Sequence, residues 1–289
     1  MARLALHLLG EESALDASGK RIALPPATWP MLGCLLTAPR RRMGRGALAG
    51  ALWPDRDEKS ARHCLATALW RIRQRLGTSA EVIALAKDSV DLATGEGVWI
   101  DVVNFEEATQ AALEDPARLD ERGEREALRV ALGHYRGDFL SQVSHDQIAI
   151  ERERLRALYL DAGLEYVRAC SRYHEWRQAC EIGRAICAAE PFREDAQRLL
   201  MEALIECGNG AQALQQYREF AALLETELSV APAAETRALA ESIGSPGQPE
   251  PRAAGRTDAA PPRRMLLMAR QQMVTSLSLL DRALAQVSL

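Results

Sequence analysis

The first apolar pattern along the chain has a period of two. In RLALHLL, Leu4, Leu6 and Leu8 alternate with other residues, and in RIAL, Ile22 and Leu24 do the same. This predicts strands with one buried face, joined by a DASGK turn and ended by Pro25 and Pro26. The period then lengthens. TWPMLGCLLTAP predicts a helix with Thr28 as N-cap, Pro30 in the first turn, where a missing N–H is harmless, and Pro39 at its end. A second helix over 45–52 stops before Pro54, and WPDRDEKSA then places carboxylates where the next helix begins and its dipole favours them. That third helix occupies KSARHCLATALWRIRQRL and stops at Gly77. EVIALAKDSVDLA predicts a hairpin turning near Lys87 and Asp88, and VWIDV a strand on Val98, Ile100 and Val102. A helix is predicted from Asn104, and helical patterns continue to about Ser242.

The third helix has one apolar stripe. Rotating by about 100° per residue from Leu65 keeps Ala61, Ala68, Leu69, Ile72 and Leu76 within about 60° of it. Ser60, His63, Thr67, Trp70 and Gln74 point the opposite way, with Arg62 and Arg73 on one flank and Arg71 and Arg75 on the other. A helix in the major groove has this arrangement, its outermost side chains at base edges and its cationic flanks at phosphates. An ordinary solvated helix can also be basic. The outward Trp70 packs on a DNA sugar or methyl group, under the hairpin, or against a neighbouring subunit.

The helical half repeats internally. Ala162, Ala169 and Ala179 recur 34 residues later as Ala196, Ala203 and Ala213, and Tyr166 and Cys170 correspond to Leu200 and Leu204. A period of 34 with helix–turn–helix content is tetratricopeptide spacing, in which small residues let paired helices approach closely. Glu225 stands where the next copy would carry a proline.

Charge sharpens this division. The chain of 289 residues has a net charge of −4, but its first 104 residues hold 14 Lys and Arg against 11 Asp and Glu, leaving 22 against 29 for the remainder. Between Arg40 and Arg75 the count is 10 basic to 3 acidic. A basic segment on an acidic body predicts a polyanion-binding module. The amino terminus lacks signal-peptide character, and no apolar run is long enough to span a bilayer. Six cysteines without a C-x-x-C pair suggest small buried side chains and a reducing, cytoplasmic setting. The five histidines lack metal-ligand spacing. There is no H-E-x-x-H, G-x-S-x-G or nucleotide loop, and Ser144, His145 and Asp146 read as a helix start. No catalytic, metal or cofactor site is expected.

Residues 1–104 resemble the winged-helix domain of the response-regulator type, most specifically in LWPDRDEKSARHCLATALWRIRQRLG. Residues 105–243 resemble the bacterial transcriptional activation domain of antibiotic-regulatory-protein activators, through ALGHYRGDFLSQV, ERERLRALYLDAGLEYV and the long stretch from AAEPFREDAQRLL to PAAETRAL. The resemblance implies a mainly α protein: an N-terminal winged helix-turn-helix followed by a tetratricopeptide-like helical domain. A linker over 244–264 and an amphipathic helix or tail over 265–289 are expected to follow. The resemblance further implies sequence-specific binding to double-stranded DNA and recruitment of RNA polymerase; a homodimer through the helical half or the final segment is a further option, and without a long apolar run no membrane partner is expected. The expected base contacts are Ser60, His63, Thr67 and Trp70, and the expected phosphate contacts are Arg42, Arg45, Arg62, Arg71, Arg73, Arg75 and Lys87. Two features depart from the family: positions expected to be polar or basic are Cys64 and Ala66, and the first helix begins without charge. They keep open an alternative, a protein-interaction adaptor whose head no longer binds DNA.

Overall fold

The computed structural model describes residues 4–94 and 97–244. The head begins with β1 (Leu4–His7), whose antiparallel partner is β2 (Ser13–Asp16). The strand expected over RIAL is corrected to a single bridge, Leu15 to Arg21. The Asp16 carboxylate accepts from the backbone N–H of Ser18 and Lys20, folding the DASGK turn tightly. The returning chain then has little length before Pro25 and Pro26, which carry no N–H for a ladder.

Helix α1 (Thr28–Thr37) follows, with Ala27 rather than Thr28 at its N-cap; Thr28 is already helical and buried. Next come β3 (Arg42–Gly44), α2 (Arg45–Leu52) and α3 (Glu58–Leu76). Asp57 caps α3 by accepting from the Ser60 backbone N–H at 3.0 Å. The wing consists of β4 (Ile83–Leu85) and β5 (Ser89–Leu92), and β3 joins it in the order β3-β5-β4. Strand β6 (Val98–Ile100) runs parallel to β1, and α4 (Asp101–Glu114) begins immediately, three residues before the expected Asn104.

The body continues with α5 (Arg122–Leu132), α6 (Asp146–Arg172), α7 (Trp176–Ala189), α8 (Glu194–Glu206), α9 (Gly210–Leu228) and α10 (Ala234–Gly244). The 34-residue repeat maps onto α6/α7 and α8/α9, and all six repeated alanines are buried, as are Tyr166, Cys170, Leu200 and Leu204. Glycine carries the same close approach further: a Cβ on Gly163 would meet Ile186 Cδ1 at 2.8 Å. The expected linker begins at the last residue of α10; the rest of it and the segment 265–289 lie outside the described residues.

One buried core runs through head and body. The chain after β1 is stitched to the body, because Leu140 N–H donates to Leu8 carbonyl at 2.9 Å and Gly10 N–H to Asp138 carbonyl at 3.2 Å. Asp101, only 1% exposed, accepts from the N–H groups of Leu8 (2.7 Å), Leu9 (3.0 Å) and Val102 (2.7 Å). Helix α1 packs on α6 where Gly33 leaves no room for a side chain: a Cβ there would press on Ile148 and lie 2.7 Å from Leu140 Cδ1.

Candidate nucleic-acid interface

The stripe predicted from Leu65 is the buried face of α3: Ala61, Leu65, Ala68, Leu69, Ile72 and Leu76 all enter the core. Burying that stripe fixes what faces outward. His63, Ala66, Trp70 and Gln74 are exposed, Ser60 and Thr67 are half-buried, and Trp70 is 64% exposed. Cys64 is half-buried on the flank. Lys59, four residues before His63, extends the same exposed ridge and was missed by sequence reasoning, although the rotation that placed His63 outward also places Lys59 there.

The cations separate into two groups. Arg71, Arg75 and Lys87 are exposed and Arg45 is half-buried; none of the four forms an ion pair among the described residues. Arg62 pairs with Glu58 at 2.6 Å, both side chains remaining well exposed, and its guanidinium lies over Gly46 at the start of α2. Lys87 sits at the wing tip, beside Asp88, whose carbonyl accepts from Arg45 N–H at 2.9 Å. Tip and α2 start are thereby held together.

Two of the expected phosphate contacts, Arg73 and Arg42, are engaged by groups of the head itself. Arg73 is half-buried and donates to the carbonyls of Ile83 at 2.8 Å and Ala80 at 3.4 Å, so its guanidinium ties α3 to the wing. Its flank of the helix faces residues 77–82, which lead into β4, and the carbonyls of Ala80 and Ile83 take its hydrogens. Arg42 is committed across the wing to Asp91, with Nε and Nη2 at 2.9 and 2.6 Å from the two carboxylate oxygens. That pairing holds the Asp91 carboxyl below the usual carboxylate range. On the opposite flank of α3, Trp70, Arg71 and Arg75 line a 580 Å³ groove with Ala23, Leu24 and Pro25 from the β2–α1 connection.

The arrangement offers an exposed helix ridge, two unpaired arginines beside it and a braced hairpin with a lysine at its tip. Among the described residues no cluster of His, Cys, Asp and Glu is arranged to hold a metal ion, and no helix is long and apolar enough to cross a membrane.

Comparison with known proteins places these features. The chain is similar to the Regulatory protein AfsR of Streptomyces griseus, 29% identical over 224 residues that make up 74% of this chain and 22% of that protein. Its similarity to the AfsR protein of Streptomyces coelicolor is 29% over 213 residues, 70% of this chain and 21% of that one. The chain thus spans about a fifth of the length of these curated relatives. A solved structure of Mycobacterium tuberculosis EmbR, in complex with a low affinity phosphopeptide, superposes with a TM-score of 0.61 at 22% identity, covering 84% of this chain and 65% of that chain. This likeness is one of fold. Residues 100–244 match the bacterial transcriptional activator domain. The chain belongs to that family of transcriptional activators, a regulatory rather than an enzymatic class, with a winged helix-turn-helix preceding the matched domain.

Proposed function

We propose that the chain binds double-stranded DNA sequence-specifically, with α3 in the major groove, and activates transcription through its helical body. The observation that carries this reading is the pairing of an exposed ridge, Lys59–His63–Trp70, with Arg71 and Arg75, which no carboxylate among the described residues neutralises. Ser60, His63 and Thr67 are the proposed base readers and Trp70 the apolar contact. Arg71, Arg75, Arg62, Arg45 and Lys87 are the proposed phosphate contacts, and Arg42 and Arg73 hold the wing in place for them. Arg62 exchanges its exposed Glu58 partner for a phosphate. In this reading residues 1–104 form the DNA-binding head and 105–243 the body that meets RNA polymerase or a second copy, inside the cytoplasm.

The test is selection of bound fragments from genomic DNA by the full chain, followed by a salt titration on the recovered sequence. A steep loss of affinity with salt is expected, because each phosphate neutralised releases counterions. Absence of any selected sequence, or salt-insensitive binding, would sink the reading. A second reading draws on the Trp70 groove: its apolar lining by Leu24 and Pro25, beside the uncharged Ala66, suits a protein partner. Capture of a defined protein that is lost in Trp70→Ala, with no DNA selected, would favour this adaptor role.

A further inference from the structure

Three buried side-chain polar atoms among the described residues have no hydrogen-bond partner: Glu12 Oε1, Thr28 Oγ1 and His145 Nδ1. Two of them, far apart in sequence, belong to residues of one cleft. Glu12 and His145 line a 720 Å³ cleft, and Thr28 lies between Pro26 and Trp29, which also line it. A buried polar atom without a partner is costly, and native folds keep few of them. Two of the three, on Glu12 and His145, thus belong to residues that border one cleft.

The cleft has the size of a small-molecule site and is bordered by segments of both head and body. The start of α1 and the end of α2 form its head side, and residues 142–146, leading into α6, form its body side. Pro26, Trp29, Pro30 and Leu52 give it apolar walls. No lysine or arginine lines it, whereas two acidic residues, Glu12 and Asp146, do. Arg21 bonds only the backbone carbonyl of Glu12, and its charge is taken by Glu11 at 2.6 Å. Glu12 as a whole is half-buried, and the soft terminal torsion of a glutamate lets Oε1 turn toward an occupant. His145 Nε2 faces the Cys34 thiol at 3.8 Å, and Nδ1 is the buried ring nitrogen without a partner.

We propose that this cleft binds a small organic cation, an amine on an aromatic or alicyclic body. The ammonium group donates to Glu12 and supplies the charge that the lining lacks. The apolar body lies against Trp29, whose indole face also attracts a cation, and against the flanking prolines. Binding here joins α1, α2 and the start of α6, the segments that seat the head on the body. The site stands whether or not α3 reads DNA.

Phenethylamine is the probe, titrated calorimetrically into the full chain, with 2-phenylethanol and 3-phenylpropionate as neutral and anionic counterparts. Saturable binding of the amine is expected, with both counterparts at least about tenfold weaker, as loss of one charge-assisted hydrogen bond implies. Two variants locate it. Glu12→Gln keeps the shape of the site and removes the proposed acceptor charge while Asp146 remains, which should weaken the amine at least about tenfold. Gly50→Leu adds bulk to the wall at a position where a Cβ meets nothing within 4 Å, so the fold survives while the cleft fills and binding is lost. Melting curves of the ligand-free proteins verify folding, and Glu12→Gln should melt no lower than the parent, since the buried Oε1 lacks a partner. The proposal is overturned if phenethylamine does not saturate the chain, if the carboxylate binds equally well, or if both variants bind it like the parent.

Discussion

The guanidinium of Arg73 donates to the main-chain carbonyl of Ile83 at 2.8 Å, so the helix that carries the proposed reading ridge also holds the first strand of the wing. Replacing Arg73 by Ala should free that strand and cost about 1–3 kcal/mol, the range for a hydrogen bond from a charged group. Amide hydrogen exchange over Ile83–Leu85 should accelerate while exchange in α8 and α9 stays unchanged. Unaltered exchange in β4 would refute the bracing role.

Arg71, one turn from Thr67 and two residues from Arg73, should behave oppositely. Arg71→Ala should leave the melting temperature within error and weaken binding to every DNA sequence alike, lowering the salt slope by about one. His63→Ala should instead change which base is preferred at one position of a selected site. Competition assays on single-base variants of that site separate the two effects, and a sequence-dependent loss for Arg71→Ala would contradict its assignment.

Asp101 makes the fold sensitive to pH. Burial pushes its carboxyl up to about 6, against the opposing pull of three backbone N–H donors, while the unfolded chain titrates at 3.8. Between those two values the folded protein keeps a proton that the unfolded chain has released. This contribution to stability is therefore fully present below the unfolded value, declines as pH rises toward 6, and is level beyond it; the whole change is about 3 kcal/mol. Asp101→Asn places an amide hydrogen against a backbone N–H and should cost about 1–3 kcal/mol at neutral pH. Denaturant melts of both proteins at several pH values test this. The difference between parent and variant should vary only across the acidic window.

Gly33 sets the distance between α1 and α6. Gly33→Ala should drive a methyl into Ile148 and Leu140 and destabilise the fold by about 1–3 kcal/mol, as overpacking does. Ile148→Val removes the nearer of the two clashing methyl groups, so the double variant should recover part of the loss. Strict additivity of the two single substitutions would show that the residues do not meet.

Much of this was legible in the sequence because burial imposes a period. The Leu65 stripe and the 34-residue alanine repeat record which side of a segment meets the core, and the structure buries those positions; the helix over 45–52 and the exposed hairpin turn at Lys87 also stand where the pattern put them. The roles of individual arginines were not legible. Arg73 and Arg71 lie two residues apart and carry the same charge, but a carbonyl of β4 captures one and leaves the other in solvent. That difference depends on where a strand ten residues later comes to rest. The parallel pairing of β1 with β6 was equally hidden, since it joins residues nearly a hundred apart. The Glu12–His145 cleft belongs to the same class, because its walls come from opposite halves of the chain.

The seam along Leu8–Gly10 also orders events in time. The main-chain groups of this stretch find their partners on Asp101 and on Asp138–Leu140, which leave the ribosome long after it does. A nascent chain that has emerged only as far as the wing holds β1 with an unfilled edge, so the head matures together with the body during synthesis rather than ahead of it.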